Sequence, residues 1–139
     1  MNKQVYIASA ARTPVGSFQG ALSSLSAPEL GAHSIRASIE RASVQDSQID
    51  EVIMGNVVSA GLKQAPARQA MRNAGLPDSC GATTVNKVCG SGMKAIMLAT
   101  DLIKADSGTT IIAGGMESMS NAPYLVQKAR SGLRMGHQQ

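Results

Sequence analysis

Short apolar runs alternate along the chain with stretches in which apolar residues recur every three or four positions. The short runs are typical of buried strands, and the longer repeats are typical of amphipathic helices. The predicted strands span residues 5–10, 51–58, 82–88 and 109–113. The predicted helices span residues 27–42, 67–74 and 92–105. The predicted order of elements is therefore β-α-β-α-β-α-β.

The start of the first helix carries a clear local signal. Ser26 and Glu29 have the spacing of a capping box. Leu25 and Leu30 occupy the positions of a hydrophobic staple around it. The apolar residues that follow at helical spacing predict one inward face, formed by Ala32, Ile35, Ile39 and Ala42.

The other two helices differ in how they are bounded and buried. Gly75 and Pro77 predict the end of the second helix, because glycine is favoured just past a helix end and proline cannot continue it. In the third helix, Lys94, Asp101 and Lys104 lie on one narrow stripe, and most other positions are apolar or small. This pattern predicts a third helix that is buried over most of its circumference.

The alternation of elements predicts an α/β fold, a mainly parallel sheet with helices on both faces. In open sheets of this kind, ligands bind outside the carboxyl ends of the strands. The regular pattern stops near residue 120. We therefore predict an α/β domain over residues 1–120 and the start of a loop region over residues 121–139. Open sheet edges and a tail without a core of its own predict further material to pack against.

Cys89 is the candidate catalytic residue. It lies where the third predicted strand gives way to Gly90-Ser91-Gly92 and the third helix. Unpaired N–H groups on the first turn of a helix favour negative charge, and hence the nucleophilic thiolate. The small neighbours leave room for a substrate. A buried structural cysteine remains the alternative, because free cysteine is among the most buried residue types.

A nucleophilic cysteine usually works with a neighbouring base or cation, and the sequence offers none that is convincing. His33 lies on the first helix and His137 lies almost at the C-terminus, so both are expected to be ordinary histidines. Glu117 follows Gly114-Gly115 and could act as a general base, although a bend with Glu117 bound to nearby backbone is the more frequent arrangement. The methionines near these motifs are expected to fill the core: Met93, Met97, Met116 and Met119.

The composition narrows the classes of function. The 139 residues are 43% hydrophobic and only 2% aromatic, so aliphatic residues and the 8 methionines must build the core. The net charge is +4, but only Lys128, Arg130 and Arg134 cluster, without interleaved aromatic residues. We therefore expect no nucleic-acid binding. Dinucleotide and nucleoside-triphosphate loops and metal-ligand clusters are absent from the sequence, so we expect no cofactor and no metal.

The cysteines and the N-terminal segment bear on the cellular compartment. Cys80 and Cys89 match neither a disulfide framework nor a zinc-site spacing, and reduced thiols indicate an intracellular setting. The N-terminal apolar run is too short for a signal peptide, and no apolar stretch is long enough to cross a membrane. We expect a cytoplasmic protein that is not bound to a membrane.

Four segments resemble the signature motifs of the thiolase family, in the family's order and spacing. They are ARTPVGSFQG, GNVVSAGLKQAPARQA, VNKVCGSGMKA and AGGMESMSNAPY. The resemblance covers essentially the whole chain and implies the N-terminal half of the thiolase fold. Within the family, the chain most resembles the biosynthetic type that forms acetoacetyl-CoA, with the long-chain degradative type as the alternative.

The resemblance implies a mechanism of covalent catalysis in lipid metabolism. Cys89 would attack the thioester carbonyl of acetyl-CoA, become S-acetylated and release CoA. The α-carbanion of a second acetyl-CoA would then take the acetyl group, which gives acetoacetyl-CoA, and the reverse reaction is thiolysis. The backbone N–H of Cys89 would contribute to an oxyanion hole. CoA thioesters are substrates here and not cofactors, and the full-length form is expected to be a homo-oligomer, a dimer or tetramer.

Three family motifs do not occur in the sequence. They are the histidine of G-H-P, the second cysteine in C-x-G-G-G and the asparagine of N-E-A-F. In the family, the histidine activates the nucleophile and the second cysteine handles the α-proton. We therefore expect an N-terminal portion of a thiolase that is inactive alone. The alternative is a non-catalytic chain that binds full-length thiolase through residues 82–88, the strand that pairs family dimers.

Overall fold

The computed structural model describes residues 3–132 and residue 136. Helices and strands alternate through most of this range. The helices are α1 (Ala27–Ala42), α2 (Pro66–Asn73), α3 (Ser91–Lys104) and the short α4 (Ala129–Gly132). The strands are β1 (Glu51–Gly55), β2 (Gly81–Val85) and β3 (Ile111–Gly115). Two 3₁₀ turns lie at Asp46–Gln48 and Met119–Asn121.

The three strands form a parallel sheet in the order β2-β1-β3. Glu51 of the central strand pairs with Gly81 on one side and with Ile111 on the other. The predicted α/β class with a parallel sheet is therefore confirmed. Because all strands run in the same direction, their carboxyl ends meet at one rim of the sheet, where parallel sheets place their binding sites.

The predicted first strand, residues 5–10, is wrong. The segment makes no strand pairing, and Tyr6 and Ile7 are 78% and 83% exposed. It is tied to the domain through single contacts instead, such as the Ser9 Oγ bond to the Ser38 carbonyl (2.7 Å). A run of apolar and β-branched residues indicates a preference for extended backbone. A strand also needs a neighbouring strand with which to exchange hydrogen bonds.

Helix α1 matches its prediction. It spans Ala27–Ala42, and Ser26 and Glu29 form the predicted capping box. Its inward face packs with α2 and with one face of β1 in the larger core cluster. Gly31 permits this close approach, since a Cβ there would lie 3.2 Å from the Ala70 Cβ and 2.7 Å from the Met116 Sδ. Gly75 has φ +84° just past α2, as expected for a residue that ends a helix.

Helix α3 covers the opposite face of the sheet, so helices lie on both faces as predicted. Ala95 and Ala99 pack against Ile53 of β1. The prediction that α3 is buried over most of its circumference is wrong, because Met93 and Met97 are 71% and 52% exposed. Of the four methionines expected to fill the core, only Met116 is buried. The apolar pattern indicates a helix surface that packs against other residues. Among the described residues, the sheet covers only the side of α3 that carries Ala95 and Ala99.

Strands β1 and β2 end earlier than the predicted runs, whereas β3 begins and ends two residues later than predicted. The runs at 51–58 and 82–88 form strands only as far as Gly55 and Val85. Beyond these points the backbone leaves the sheet to build the loops at its rim. Among the described residues, no helix is both long and apolar enough to span a membrane.

Candidate active site

The candidate site lies at the carboxyl end of β2. The chain leaves β2 at Val85 and enters α3 at Ser91, and Cys89 lies in the short turn between them. Cys89 is exposed, so the alternative of a buried structural cysteine is wrong. The helix begins two residues later than the thiol, with Gly90 as its N-cap, so Cys89 precedes the first turn of α3 and does not form part of it.

The turn that carries Cys89 is strained at Val88. This residue has φ +49°, in the left-handed region that β-branched side chains rarely adopt. Its N–H donates to the side-chain oxygen of Asn86 at 2.9 Å. Its carbonyl accepts from Ser91 Oγ at 2.6 Å. Both polar groups of this residue are therefore bonded to side chains within the same turn.

Three glycines let the start of α3 lie directly on the sheet rim. A Cβ on Gly55 would lie 2.6 Å from the Ser91 Cβ and 2.8 Å from the Gly92 N. A Cβ on Gly115 would lie 3.4 Å from the Gly92 Cα. The ends of β1 and β3 therefore pack directly against the first turn of α3, the helix that follows Cys89.

Glu117 is used as a structural hydrogen-bond acceptor. Its carboxylate accepts from Asn56 Nδ2 (2.9 Å), the Val57 N–H (2.9 Å) and the Val58 N–H (3.0 Å). This arrangement matches the interpretation of a glycine bend with Glu117 bound to nearby backbone. The carboxylate joins the loop after β1 to the loop after β3, and these hydrogen bonds engage both of its oxygens.

Asn56 is a site residue that the sequence analysis missed. Its side chain is buried, and its Nδ2 also donates to the Met116 carbonyl at 3.1 Å. Its backbone N–H donates to the Val85 carbonyl at 3.0 Å, so it links all three strand ends. Its Oδ1 is buried without a hydrogen-bond partner among the described residues. The sequence signal that could have identified Asn56 is a polar residue directly after the apolar residues of a strand.

No histidine of the described residues joins Cys89. His33 is exposed on α1, which covers the face of the sheet opposite to α3. It lines a cavity of about 360 Å³ together with Arg12 and Arg41. His137 lies outside the described residues. The candidate site thus presents an exposed thiol on a tight turn, and no side chain of the described residues is identified as its base.

A larger cavity, about 510 Å³, lies between residues 11–18 and the carboxyl end of β3. Glu117 and Met116 line it, and Cys89 lines neither of these two cavities. Within residues 3–132, no three His, Cys, Asp or Glu side chains lie together as a metal site would require.

The second cysteine has a different environment. Cys80 is buried at the start of β2, and its Sγ donates to the Gly81 carbonyl at 3.4 Å. Burial, and secondarily the charges of Glu51 and Asp50, raises the pKa of the Cys80 thiol. Cys80 is therefore a protected structural thiol, in contrast to the exposed Cys89.

Comparison with known proteins points to one family. Residues 5–139 match the family model described as the N-terminal domain of thiolase. The chain is 55% identical over 135 residues to an acetyl-CoA acetyltransferase of Escherichia coli, covering 96% of this chain and 34% of the relative. It is 50% identical over 133 residues to acetyl-CoA acetyltransferase IA of Candida tropicalis, covering 95% of this chain and 33% of the relative.

The fold comparison agrees with the sequence comparison. The crystal structure of a thiolase from Ascaris suum, determined in complex with coenzyme A, superposes with a TM-score of 0.89. The two sequences are 46% identical, and the match covers 91% of this chain and 33% of that one. The chain thus spans about a third of the length of the relatives that it matches.

Proposed function

Because the chain belongs to the thiolase family, of which it carries the N-terminal domain, we propose that it supplies the nucleophile of an acetyl-CoA C-acetyltransferase. The observation that carries the proposal is the exposed Cys89 thiol at the carboxyl end of β2. Two of its relatives, at 50% and 55% identity, are named acetyl-CoA acetyltransferases, which supports acetyl-CoA as the substrate.

The proposed reaction has two halves. The Cys89 sulfur attacks the thioester carbonyl of acetyl-CoA, a carbon–sulfur bond forms to the enzyme, and CoA leaves as its thiolate. A second acetyl-CoA loses an α-proton, and its carbanion attacks the acetyl group of S-acetyl-Cys89. Acetoacetyl-CoA forms and the Cys89 thiolate is released. The reverse sequence is thiolysis.

The described residues fit the first half of this reaction better than the second. An exposed thiol can accept an acyl group, and the backbone N–H of Cys89 is the proposed donor to the developing oxyanion. Proton transfer needs a base, and Glu117 is occupied by three hydrogen bonds. The sequence lacks the family's G-H-P, C-x-G-G-G and N-E-A-F motifs. We therefore propose that these 139 residues alone do not turn over acetyl-CoA.

A second candidate function is supported by the edge of the sheet. Within the described part of the chain, β2 has a neighbour on one side only, and Val88 and Met93 beside it are exposed. An open edge with apolar neighbours is suited to pairing with another chain. The alternative proposal is a non-catalytic subunit that binds full-length thiolase through β2. Reduced cysteines support a cytoplasmic location for either function.

The test separates acyl transfer from turnover. The purified chain is incubated with acetyl-CoA and then digested, and mass spectrometry locates any acetyl thioester. We expect the acetyl group on Cys89, none in Cys89→Ser, and an unchanged result in the control Cys80→Ser. Thiolysis of acetoacetyl-CoA should remain at background. An acetyl group on no cysteine, together with co-purification with an intact thiolase, would favour the non-catalytic subunit.

A further inference from the structure

We infer that Ser91 is a positioning residue for the Cys89 thiol, because its buried hydroxyl holds the strained turn that presents this thiol. The inference rests on the proposed role of Cys89 as the acyl acceptor. Ser91 is only 4% exposed, which is unusual for a serine that begins a helix beside an exposed loop. Its hydroxyl makes two hydrogen bonds, and both go to the turn.

The turn requires restraining hydrogen bonds because the backbone of Val88 is strained. A β-branched residue at φ +49° is held in a sparsely populated conformation, which persists only where the surroundings over-determine it. Cys89 is the next residue along the chain. If Val88 relaxed to a negative φ, the direction of the chain through Cys89 would change, and the thiol would move relative to the start of α3.

Ser91 restrains Val88 from both sides. Its Oγ donates to the Val88 carbonyl at 2.6 Å and accepts from the Lys87 N–H at 2.8 Å. One hydroxyl therefore holds the peptide group that follows Val88 and the peptide group that precedes Lys87. Asn86 supplies a second restraint by accepting the Val88 N–H at 2.9 Å.

Ser91 can restrain the turn because its own position is fixed by packing and by hydrogen bonding. Its Cβ lies over Gly55, where a methyl group would approach to 2.6 Å, so the helix start has no room to settle lower. Its backbone N–H also donates to the Val88 carbonyl at 3.1 Å. The rigid rim of β1 thus supports Ser91, and Ser91 supports the turn that carries Cys89.

A double-mutant cycle tests the inference in the full chain. The variants are Ser91→Ala, Val88→Gly and the double variant, and the measured rate is acetylation of Cys89 by acetyl-CoA. We expect Ser91→Ala to slow acetylation about tenfold, because it removes both hydrogen bonds of the buried hydroxyl to the turn. Glycine adopts φ > 0 without strain. In the Val88→Gly background the same serine change should therefore slow the reaction less than about twofold.

Amide NMR provides a readout that does not depend on acyl transfer. In Ser91→Ala the Cys89 and Gly90 amide signals should shift away from their wild-type positions. In the double variant they should differ from those of Val88→Gly by less than the Ser91→Ala signals differ from wild type. Alkylation of the buried Cys80 reports whether each variant is folded. Should Ser91→Ala not fold, Asn86→Ala, at an exposed position, removes the other restraint and should shift the same two signals.

Two outcomes would overturn the inference. One is a Ser91→Ala protein whose Cys89 amide and acetylation rate match wild type. The other is an equal effect of the serine change in the valine and glycine backgrounds, which would mean that Ser91 acts by packing alone. Absence of acetylation in every variant, wild type included, would instead contradict the proposed function, while the amide positions would still decide the role of Ser91.

Discussion

Asn56 and Glu117 connect the loops that follow β1 and β3, through a hydrogen bond of 2.9 Å from Asn56 Nδ2 to Glu117 Oε1. The same carboxylate accepts the N–H groups of Val57 and Val58. Residues 57 and 58 thereby leave the sheet although their side chains are typical of strands. This contact ends β1 and shapes one side of the rim.

Removal of the Glu117 carboxylate should destabilise the fold. Glu117→Ala leaves two part-buried N–H groups and the Asn56 amide without their charged acceptor, and hydrogen bonds to charged groups are the stronger ones. We expect a loss of about 2 kcal/mol in the free energy of unfolding, measured by urea denaturation. The control is Glu40→Ala at an exposed position of α1, with an expected change within about 0.5 kcal/mol. Equal effects of the two changes would contradict a bracing role for Glu117.

A methyl group on Gly55 should separate α3 from the sheet. In Gly55→Ala the added Cβ would meet the Ser91 Cβ at 2.6 Å and the Gly92 N at 2.8 Å, and backbone atoms cannot move aside as a flexible side chain can. We expect destabilisation of about 2 kcal/mol in urea unfolding, the usual range for overpacking. Gly132→Ala is the matched control, since a Cβ there meets nothing within 4 Å. A Gly55→Ala protein as stable as this control would show that α3 is not seated on β1.

Local signals along the sequence were sufficient to predict several elements of the fold. The capping box at Ser26 and Glu29 set the start of α1, because both of its hydrogen bonds lie within four residues. The position of Cys89 between an apolar run and a glycine-serine-glycine segment was enough to place it at the carboxyl end of a strand. Both inferences depend on neighbours in the chain.

Other features depend on residues that lie far apart, and for these the sequence was a poor guide. The contact of Asn56 with Glu117 spans 61 positions, so no local pattern announces it. Residues 5–10 have strand propensity but lack a pairing neighbour. The apolar exposed side of α3 at Met93 and Met97 has the pattern of a buried face, and a pattern does not say whether its partner is in the same chain.

The two thiols should react at very different rates. Cys89 is exposed, whereas Cys80 is 2% exposed and burial raises the pKa of its thiol, so alkylation of Cys80 requires opening of the fold. With iodoacetamide at neutral pH, we expect Cys89 to react at least about a hundredfold faster, as followed by peptide mass spectrometry. Urea above the unfolding midpoint is the control and should bring the two rates together. Comparable rates in buffer would mean that β2 and α2 do not protect Cys80 as the structure describes.

The Asp50 carboxylate should make stability depend on pH. Its Oδ2 accepts the N–H groups of Thr109 (2.6 Å) and Thr110 (3.0 Å) and the Thr109 hydroxyl (3.0 Å), which fastens the start of β3 to β1. These bonds, led by that of the Thr109 N–H, hold the pKa of Asp50 below its ordinary value. A carboxyl with a lowered pKa in the folded state stabilises the fold above its unfolded pKa of about 3.9. This stabilisation is lost as the pH falls from the unfolded pKa of about 3.9 through the lower pKa that Asp50 has in the folded protein.

Asp50→Asn should therefore be less stable than wild type at pH 7, and the difference should shrink as the pH is lowered below about 4. The difference at pH 7 should be about 1 kcal/mol, because the group is largely exposed and solvent screens it. Urea unfolding of both proteins from pH 7 to pH 3 measures the effect, with Asp101→Asn on the exposed side of α3 as the control. A stability difference that stays constant over this range would show that the Asp50 charge does not fasten β3 to β1.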